Sequence, residues 1–276
     1  MESNFVNYWG DASVDSLSRI DFCVLSNKYV RDASAIDSDA GITKNEISYL
    51  GEAVEGGVAD KRLGVTGRNR CSTCMCPSEE CPGHSGHVTL VKPVFHIGYL
   101  DVLKQILSFI CLKCRKLLIN QNSPQYAALL KSNESGKNKF IKLKKLLKNV
   151  KTCFNEEQNC TYPVHKIVNE NKLGSIFLLA DQVKSNNDTD KKKRNSRILT
   201  PQVCYDLLSS ISPEIYSIMG FDVSKNNMKD LIIKILPIAP ICIRPSIKVD
   251  TLSSTVDDDA SHKYVDIIRH NEDLKK

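Results

Sequence analysis

In the segment YLDVLKQILSFI, Leu100, Leu103, Ile106, Leu107 and Ile110 recur at helical spacing, which predicts an amphipathic helix from about residue 99. A second stripe lies in FIKLKKLLKNV. There Leu143, Leu146, Leu147 and Val150 fall at i, i+3, i+4 and i+7, and Lys142, Lys144, Lys145 and Lys148 mostly take the other faces. Thr200-Pro201 and Ser212-Pro213 each put a hydroxyl where a helix cap is needed and a proline at the first helical position. Gly220 can end the second of these helices. LIIKIL, residues 231–236, is apolar and fits a strand or a short buried helix. In PIAPICIRPSI the prolines at 237, 240 and 245 each remove a backbone donor, so this stretch is expected to run extended, as a strap over other structure. Tyr264, Val265, Ile267 and Ile268 open a final helix that reaches the last residue without a cap, as if the element continued further.

The remaining pattern is less periodic. Residues 1–60 read as irregular, with a short strand at Phe22 to Leu25, a helical turn from Asn27 to Ala33, and a loop marked by Gly51, Gly56 and Gly57. Residues 61–98 are rich in glycine and cysteine, so loops and short strands are expected. DQVKSNNDTDKKKRNSR, residues 181–197, has almost no apolar content and reads as a mobile surface loop. The fold class is α+β: an irregular, metal-stabilised body of helices and short strands. Four regions follow: an N-terminal segment (1–60), a cysteine-bearing region (61–180), a basic loop (181–199), and a helical segment with the strap (200–276).

Composition narrows the partners. The chain of 276 residues is 41% hydrophobic and 25% charged, enough to build a core. It contains no apolar run of about 18 residues, so no membrane span is expected. The acidic N-terminus lacks a secretory pattern, which points to a reducing compartment where clustered cysteines serve as metal ligands or catalysts rather than disulfides. The net charge of +6 conceals an asymmetry. Residues 1–60 carry 4 basic and 11 acidic side chains (−7), residues 61–200 carry 25 and 10 (+15), and residues 201–276 carry 9 and 11 (−2). A basic centre of this size suits a polyanion such as nucleic acid, or else a solvated surface with a lysine-rich loop.

The cysteine spacing carries the chemistry. Cys71-x2-Cys74 and Cys81-x2-His84 form two knuckles six residues apart, a Cys3His set suited to tetrahedral zinc. Cys76 and His87 lie close enough in sequence to replace a ligand, and rank below the four. Cys111-x2-Cys114 is another knuckle, and Cys153 with Cys160 can complete a second set. Cys23, Cys204 and Cys242 sit singly among apolar residues and are expected in the core. Two zinc ions are therefore expected. Each set is closed by four protein ligands, which leaves no position for a substrate and serves folding rather than catalysis. No nucleophile elbow, phosphate-binding glycine loop or HExxH is present, and no catalytic residue is assigned. From the residues alone the chain is a zinc-stabilised, basic binding module.

RLGVTGRNRCSTC, ECPGHSGHVTLVKPVFHIGYL and ICLKCRKLL resemble the N-terminal clamp region of the largest subunit of multisubunit DNA-directed RNA polymerases. LTPQVCYDLLSSIS, LPIAPICIRPSI and VDDDASHKYVDIIRHNEDL resemble later segments of the same family, in family order across residues 61–276. The resemblance implies that Cys71, Cys74, Cys81 and His84 ligate one zinc, and Cys111, Cys114, Cys153 and Cys160 a second. It implies a clamp that holds DNA and the RNA–DNA hybrid, with the second-largest and smaller polymerase subunits as partners and the nucleus as location. CPGHSGH and KPVFHIG look like the messenger-RNA enzyme, and ICIRPS like RNA polymerase III. Cys76 and the insertion at 181–197 depart from the family pattern. The family's catalytic Asn-Ala-Asp-Phe-Asp-Gly-Asp motif, which chelates magnesium, is absent. Asp257-Asp258-Asp259 has the wrong spacing, so this chain is expected to be inactive alone, as a fragment or one piece of a split subunit. The competing reading is a stand-alone zinc-ribbon adaptor or transcription-factor module that binds a partner protein. A zinc hydrolase would need an open metal position.

Overall fold

The computed structural model describes residues 24–49, 51–120, 122–132, 134–155, 159–172, 175–182, 196–224, 227–248 and 255–276. Helix α1 (Asn27–Asp32) is capped by Ser26, whose Oγ accepts from the Tyr29 N–H. A small ribbon of β1 (Ser48–Tyr49) and β2 (Glu52–Ala53) follows. Strand β3 (Gly86–Phe95) is longer than the glycine-rich composition suggested. Helices α2 (Leu100–Phe109), α3 (Pro124–Lys131) and α4 (Gly136–Leu147) come next. Strands β4 (His165–Lys172), β5 (Ser175–Gln182) and β6 (Ser196–Leu199) form an antiparallel three-stranded sheet. Helices α5 (Pro201–Ser209) and α6 (Pro213–Ile218) then lead to β7 (Ile232–Ile238), the short pair β8 (Ile247–Lys248) and β9 (Thr255–Val256), and α7 (Asp259–Asp273). The mixture of helices with short antiparallel strands is the α+β class expected.

Two larger apolar centres organise these elements, beside a small third cluster of Val65, Cys71 and Cys81. The larger one buries Leu103, Ile106 and Leu107 of α2, Leu143 of α4, and Cys204 and Leu208 of α5. Phe140 sits between Phe109 and Phe221, with ring centroids 5.0 and 5.5 Å away, and so joins α2, α4 and the segment after α6. Gly136 and Gly220 let α4 start against the end of α6. A Cβ on Gly220, whose φ is +92°, would lie 2.3 Å from the Gly136 carbonyl oxygen. The smaller centre joins Ile36, Ile42, Val58 and Leu63 to Val88 of β3, Ile238 of β7 and Ile268 of α7.

Strands β3 and β7 form an antiparallel ribbon whose register breaks between Thr89 and Val94, around Pro93. Two asparagines close its edges. Asn27 Oδ1 accepts from the N–H groups of Lys234 and Ile235. Asn271 of α7 accepts from the Val91 N–H and donates to the Thr89 carbonyl. These side chains satisfy strand groups that would otherwise need another strand or water.

Several expectations change in detail. Val24 and Leu25 belong to no strand, while Phe22 and Cys23 lie outside the described residues. LIIKIL resolves as a 3-10 turn (Met228–Leu231) followed by strand β7. The strap is not extended throughout, because Ile241–Ile243 form a 3-10 turn entered from Pro240 at φ −56°. Arg244 fixes this bend. Its buried guanidinium donates to the carbonyls of Ala239 and Val58 and to Ser261 Oγ. The stretch read as a loop at 181–197 begins inside β5 and ends inside β6, and residues 183–195 lie outside the described residues. The last helix starts earlier than its apolar stripe, because Asp258 accepts from the Ala260 N–H and caps it, and Leu274 closes it.

Candidate metal centres

The first centre lies between the 3-10 turn Lys61–Leu63 and the start of β3. Cys71 and Cys74 stand on one tight turn, in which the Met75 N–H donates to the Cys71 carbonyl at 2.9 Å and the Cys71 N–H donates to the Cys76 carbonyl at 3.0 Å. Met75 takes a left-handed φ of 61° to close that turn. Cys81 and His84 flank Pro82-Gly83, with Gly83 at φ +80°. The second centre repeats the first knuckle bond for bond. The Arg115 N–H donates to the Cys111 carbonyl at 2.9 Å, the Cys111 N–H to the Lys116 carbonyl at 2.9 Å, and Arg115 has φ 62°. Helix α2 delivers Cys111 directly, and the segments after α4 and before β4 bring Cys153 and Cys160.

In each centre four ligand atoms lie within 4.8 Å of one another: Cys71, Cys74, Cys81 and His84 in one, Cys111, Cys114, Cys153 and Cys160 in the other. Cys74 Sγ lies 3.6 Å from Cys81 Sγ, and Cys81 Sγ 3.7 Å from His84 Nε2. Cys111 and Cys160 are 3.8 Å apart, Cys114 and Cys153 3.6 Å. A zinc ion with tetrahedral Zn–S bonds of about 2.3 Å separates its sulfurs by about 3.8 Å. The donor sets therefore have the size and softness to hold such an ion, and each could hold one metal. Burial of Cys71, Cys81, Cys111, Cys153 and Cys160 removes competing water.

The thiol electrostatics repeat as well. Cys74 is drawn down to about 6, first by its hydrogen bond with His84 and then by the Cys76 N–H. Cys114 is also lowered. Burial opposes this, but the Lys116 N–H and the neighbouring thiols outweigh it. Burial pushes Cys81 up to about 11, and raises Cys111 and Cys153 too. A metal that takes either set must displace the protons that burial favours on the raised thiols.

The runner-up ligands fall outside both sets. Cys76 occupies the place that Lys116 takes in the second knuckle: its carbonyl closes the turn, and its thiol donates to the Cys74 carbonyl at 3.4 Å. His87 is fully buried elsewhere, with Nδ1 2.8 Å from Ser34 Oγ. Among the single cysteines, Cys204 is buried and its thiol is pushed up to about 12. Cys242 is not in the core. It is exposed on the strap, where its Sγ lies 3.6 Å from the Pro82 carbonyl, because the 3-10 turn at Ile241–Ile243 faces it away from the apolar centre. Among the described residues, no helix is long and apolar enough to cross a membrane.

Among the described residues, two sets of four side chains are each grouped closely enough to hold one metal ion. A family model described as RNA polymerase Rpb1, domain 1 matches residues 14–276. The chain is 47% identical over 285 aligned positions to DNA-directed RNA polymerase subunit 1 of Acanthamoeba polyphaga mimivirus, covering 100% of this chain and 19% of that relative. It is 33% identical to DNA-directed RNA polymerase II subunit RPB1 of Euplotoides octocarinatus, over 94% of this chain and 53% of the relative. It is 31% identical to DNA-directed RNA polymerase subunit Rpo1N of Thermococcus celer, over 94% of this chain and 28% of the relative. The chain belongs to the RNA polymerase Rpb1, domain 1 family and corresponds to the N-terminal part of a largest subunit of DNA-directed RNA polymerase. The adaptor and hydrolase readings are set aside on that ground.

Proposed function

We propose that this chain is the zinc-stabilised clamp portion of a DNA-directed RNA polymerase of nuclear type III or II, and that it helps hold DNA and the RNA–DNA hybrid during transcription. The observation that carries this reading is the pair of four-ligand centres with repeated knuckle geometry in a chain of this family. Cys71, Cys74, Cys81 and His84 hold one zinc, and Cys111, Cys114, Cys153 and Cys160 the other. In such closed sets the metal supplies folding energy, and no reaction step passes through it. The basic region 61–200 supports phosphate neutralisation along the nucleic acid. Nucleotidyl transfer belongs to the whole polymerase, whose magnesium is not held by this chain, so the 276-residue chain alone catalyses nothing. Its partners are the second-largest and smaller polymerase subunits, and its place is the nucleus. Two zinc ions per folded chain are expected from metal analysis, and one or none would defeat the zinc assignment. Immunopurification from source cells is expected to bring down second-largest-subunit peptides, and the small companions name the polymerase type. Their absence would defeat the polymerase reading.

A further inference from the structure

A groove of about 840 Å³ opens between the C-terminal half of α4, the segment after it, and the start of β4. Its floor is aliphatic and comes from Ile141, Leu147, Val150 and Val164. Ile141 is the telling residue. It stands on the face of α4 away from the core and is 42% exposed. Lys144, Lys145, Lys148, Lys151 and Lys166 form the rim, all of them exposed, and among the described residues no carboxylate lines the groove. None of the five lysines makes an ion pair among the described residues, although Lys142 on the same helix pairs with Glu134. Lys144 and Lys148 are like charges one turn apart, an arrangement that costs helix stability unless an anion answers it.

We propose that this groove docks an acidic, amphipathic segment of a partner protein, whose apolar side chains fill the floor while its carboxylates meet the lysine rim. This goes beyond the polymerase reading and does not depend on it. Charge complementarity sets the sign of the partner, and the floor sets its class. A nucleic acid could answer the lysines, but it would leave the aliphatic floor in water, and stacking of bases needs a free aromatic face. Among the described residues its lining offers none: Phe109 is buried at 2% exposure, and His165 stacks on Tyr162 with centroids 5.1 Å apart at 22°. A helix with spaced apolar anchors and acidic flanks satisfies floor and rim together.

The test uses the zinc-loaded 276-residue chain and a phage-displayed library of random 16-residue peptides. Enriched peptides are expected to combine several carboxylates with at least two large apolar residues. Ile141→Ser and the double change Lys144→Glu/Lys148→Glu are each expected to weaken the best peptide about tenfold or more, the scale of an interface anchor. Circular dichroism and zinc content report folding. Should the helix variants unfold, Lys151→Glu/Lys166→Glu, on other segments, gives the same readout. No enrichment, peptides without that composition, or binding indifferent to these changes would overturn the proposal. In that event a labelled 16-nucleotide single-stranded DNA that weakens with the lysine changes but not with Ile141→Ser would reassign the face to nucleic acid.

Discussion

Met75 and Arg115 share one left-handed backbone conformation, φ 61° and 62°, each at the position immediately after the second cysteine of a knuckle. A residue with a Cβ is strained there by about 1–2 kcal/mol, and glycine is not, although glycine gives back about 0.5–1 kcal/mol in chain entropy. Met75→Gly and Arg115→Gly are therefore expected to raise stability slightly, by roughly 0.5 kcal/mol each. Met75→Val is expected to lower it, because branching at Cβ worsens the strain. Denaturant titration of the zinc-loaded variants reads both signs.

The equivalence of Cys76 with Lys116 separates ligand from bystander. Cys76→Ser is expected to leave the zinc count of the folded chain unchanged. Cys81→Ser is expected to lose one zinc and to destabilise residues 61–98, because the first set then lacks a buried ligand. Metal analysis together with thermal melting checks both. An unchanged melt and zinc count in Cys81→Ser would contradict the first centre.

Close approach of two glycines makes a third prediction. Gly220→Ala must push a Cβ against the Gly136 carbonyl and hold φ +92°, and Gly136→Ala meets the Gly220 carbonyl oxygen at 2.0 Å. Each is expected to destabilise by about 2–4 kcal/mol, combining overpacking with backbone strain. The pair is expected to be non-additive, since each change already separates the same two segments. A double-mutant cycle in urea tests this.

His87 predicts the pH response of the smaller core. Burial lowers its pKa, opposed by Asp39 and reinforced by nearby Arg31. The folded chain keeps the ring neutral while the unfolded chain protonates it near 6.5. Its folded-state advantage is therefore complete above that value and is lost as pH falls below it, with a slope of at most about 1.4 kcal/mol per pH unit. Urea melts at pH 7.5 and 6.0 in excess zinc are expected to show a shallower loss for His87→Gln than for the unchanged chain. Equal losses would show that His87 does not carry the effect.

Much of the site was legible because metal ligation needs fixed residue types at short spacing. Cys71, Cys74, Cys81 and His84 met as their spacing required, and Cys153 and Cys160 joined Cys111 and Cys114 across the larger gap. Thr200-Pro201 and Ser212-Pro213 began helices as expected, and the same signal at Ser123-Pro124 begins α3, which went unread. What the sequence hid were non-local unions. Asn27 and Asn271 close the two edges of a ribbon more than 200 residues apart in part, and nothing local in either asparagine announces that. Cys242 looked like core because its neighbours are apolar, but a 3-10 turn fixed by the Arg244 fork turns it outward.

The two centres also differ in how much chain each encloses. The first is complete within residues 71–84, whereas the second waits from Cys111 until Cys160. Closing the longer loop costs about 1 kcal/mol more chain entropy by the logarithmic law. On a ribosome adding about 5–20 residues per second, the last ligand of the second centre emerges seconds after its first knuckle. A metal offered during synthesis would meet all four residues of the first set while the rest of the chain is still being made, and the second set only after Cys160 has emerged. The unequal reach of the two sets thus makes the N-terminal one the first to be complete as the chain emerges.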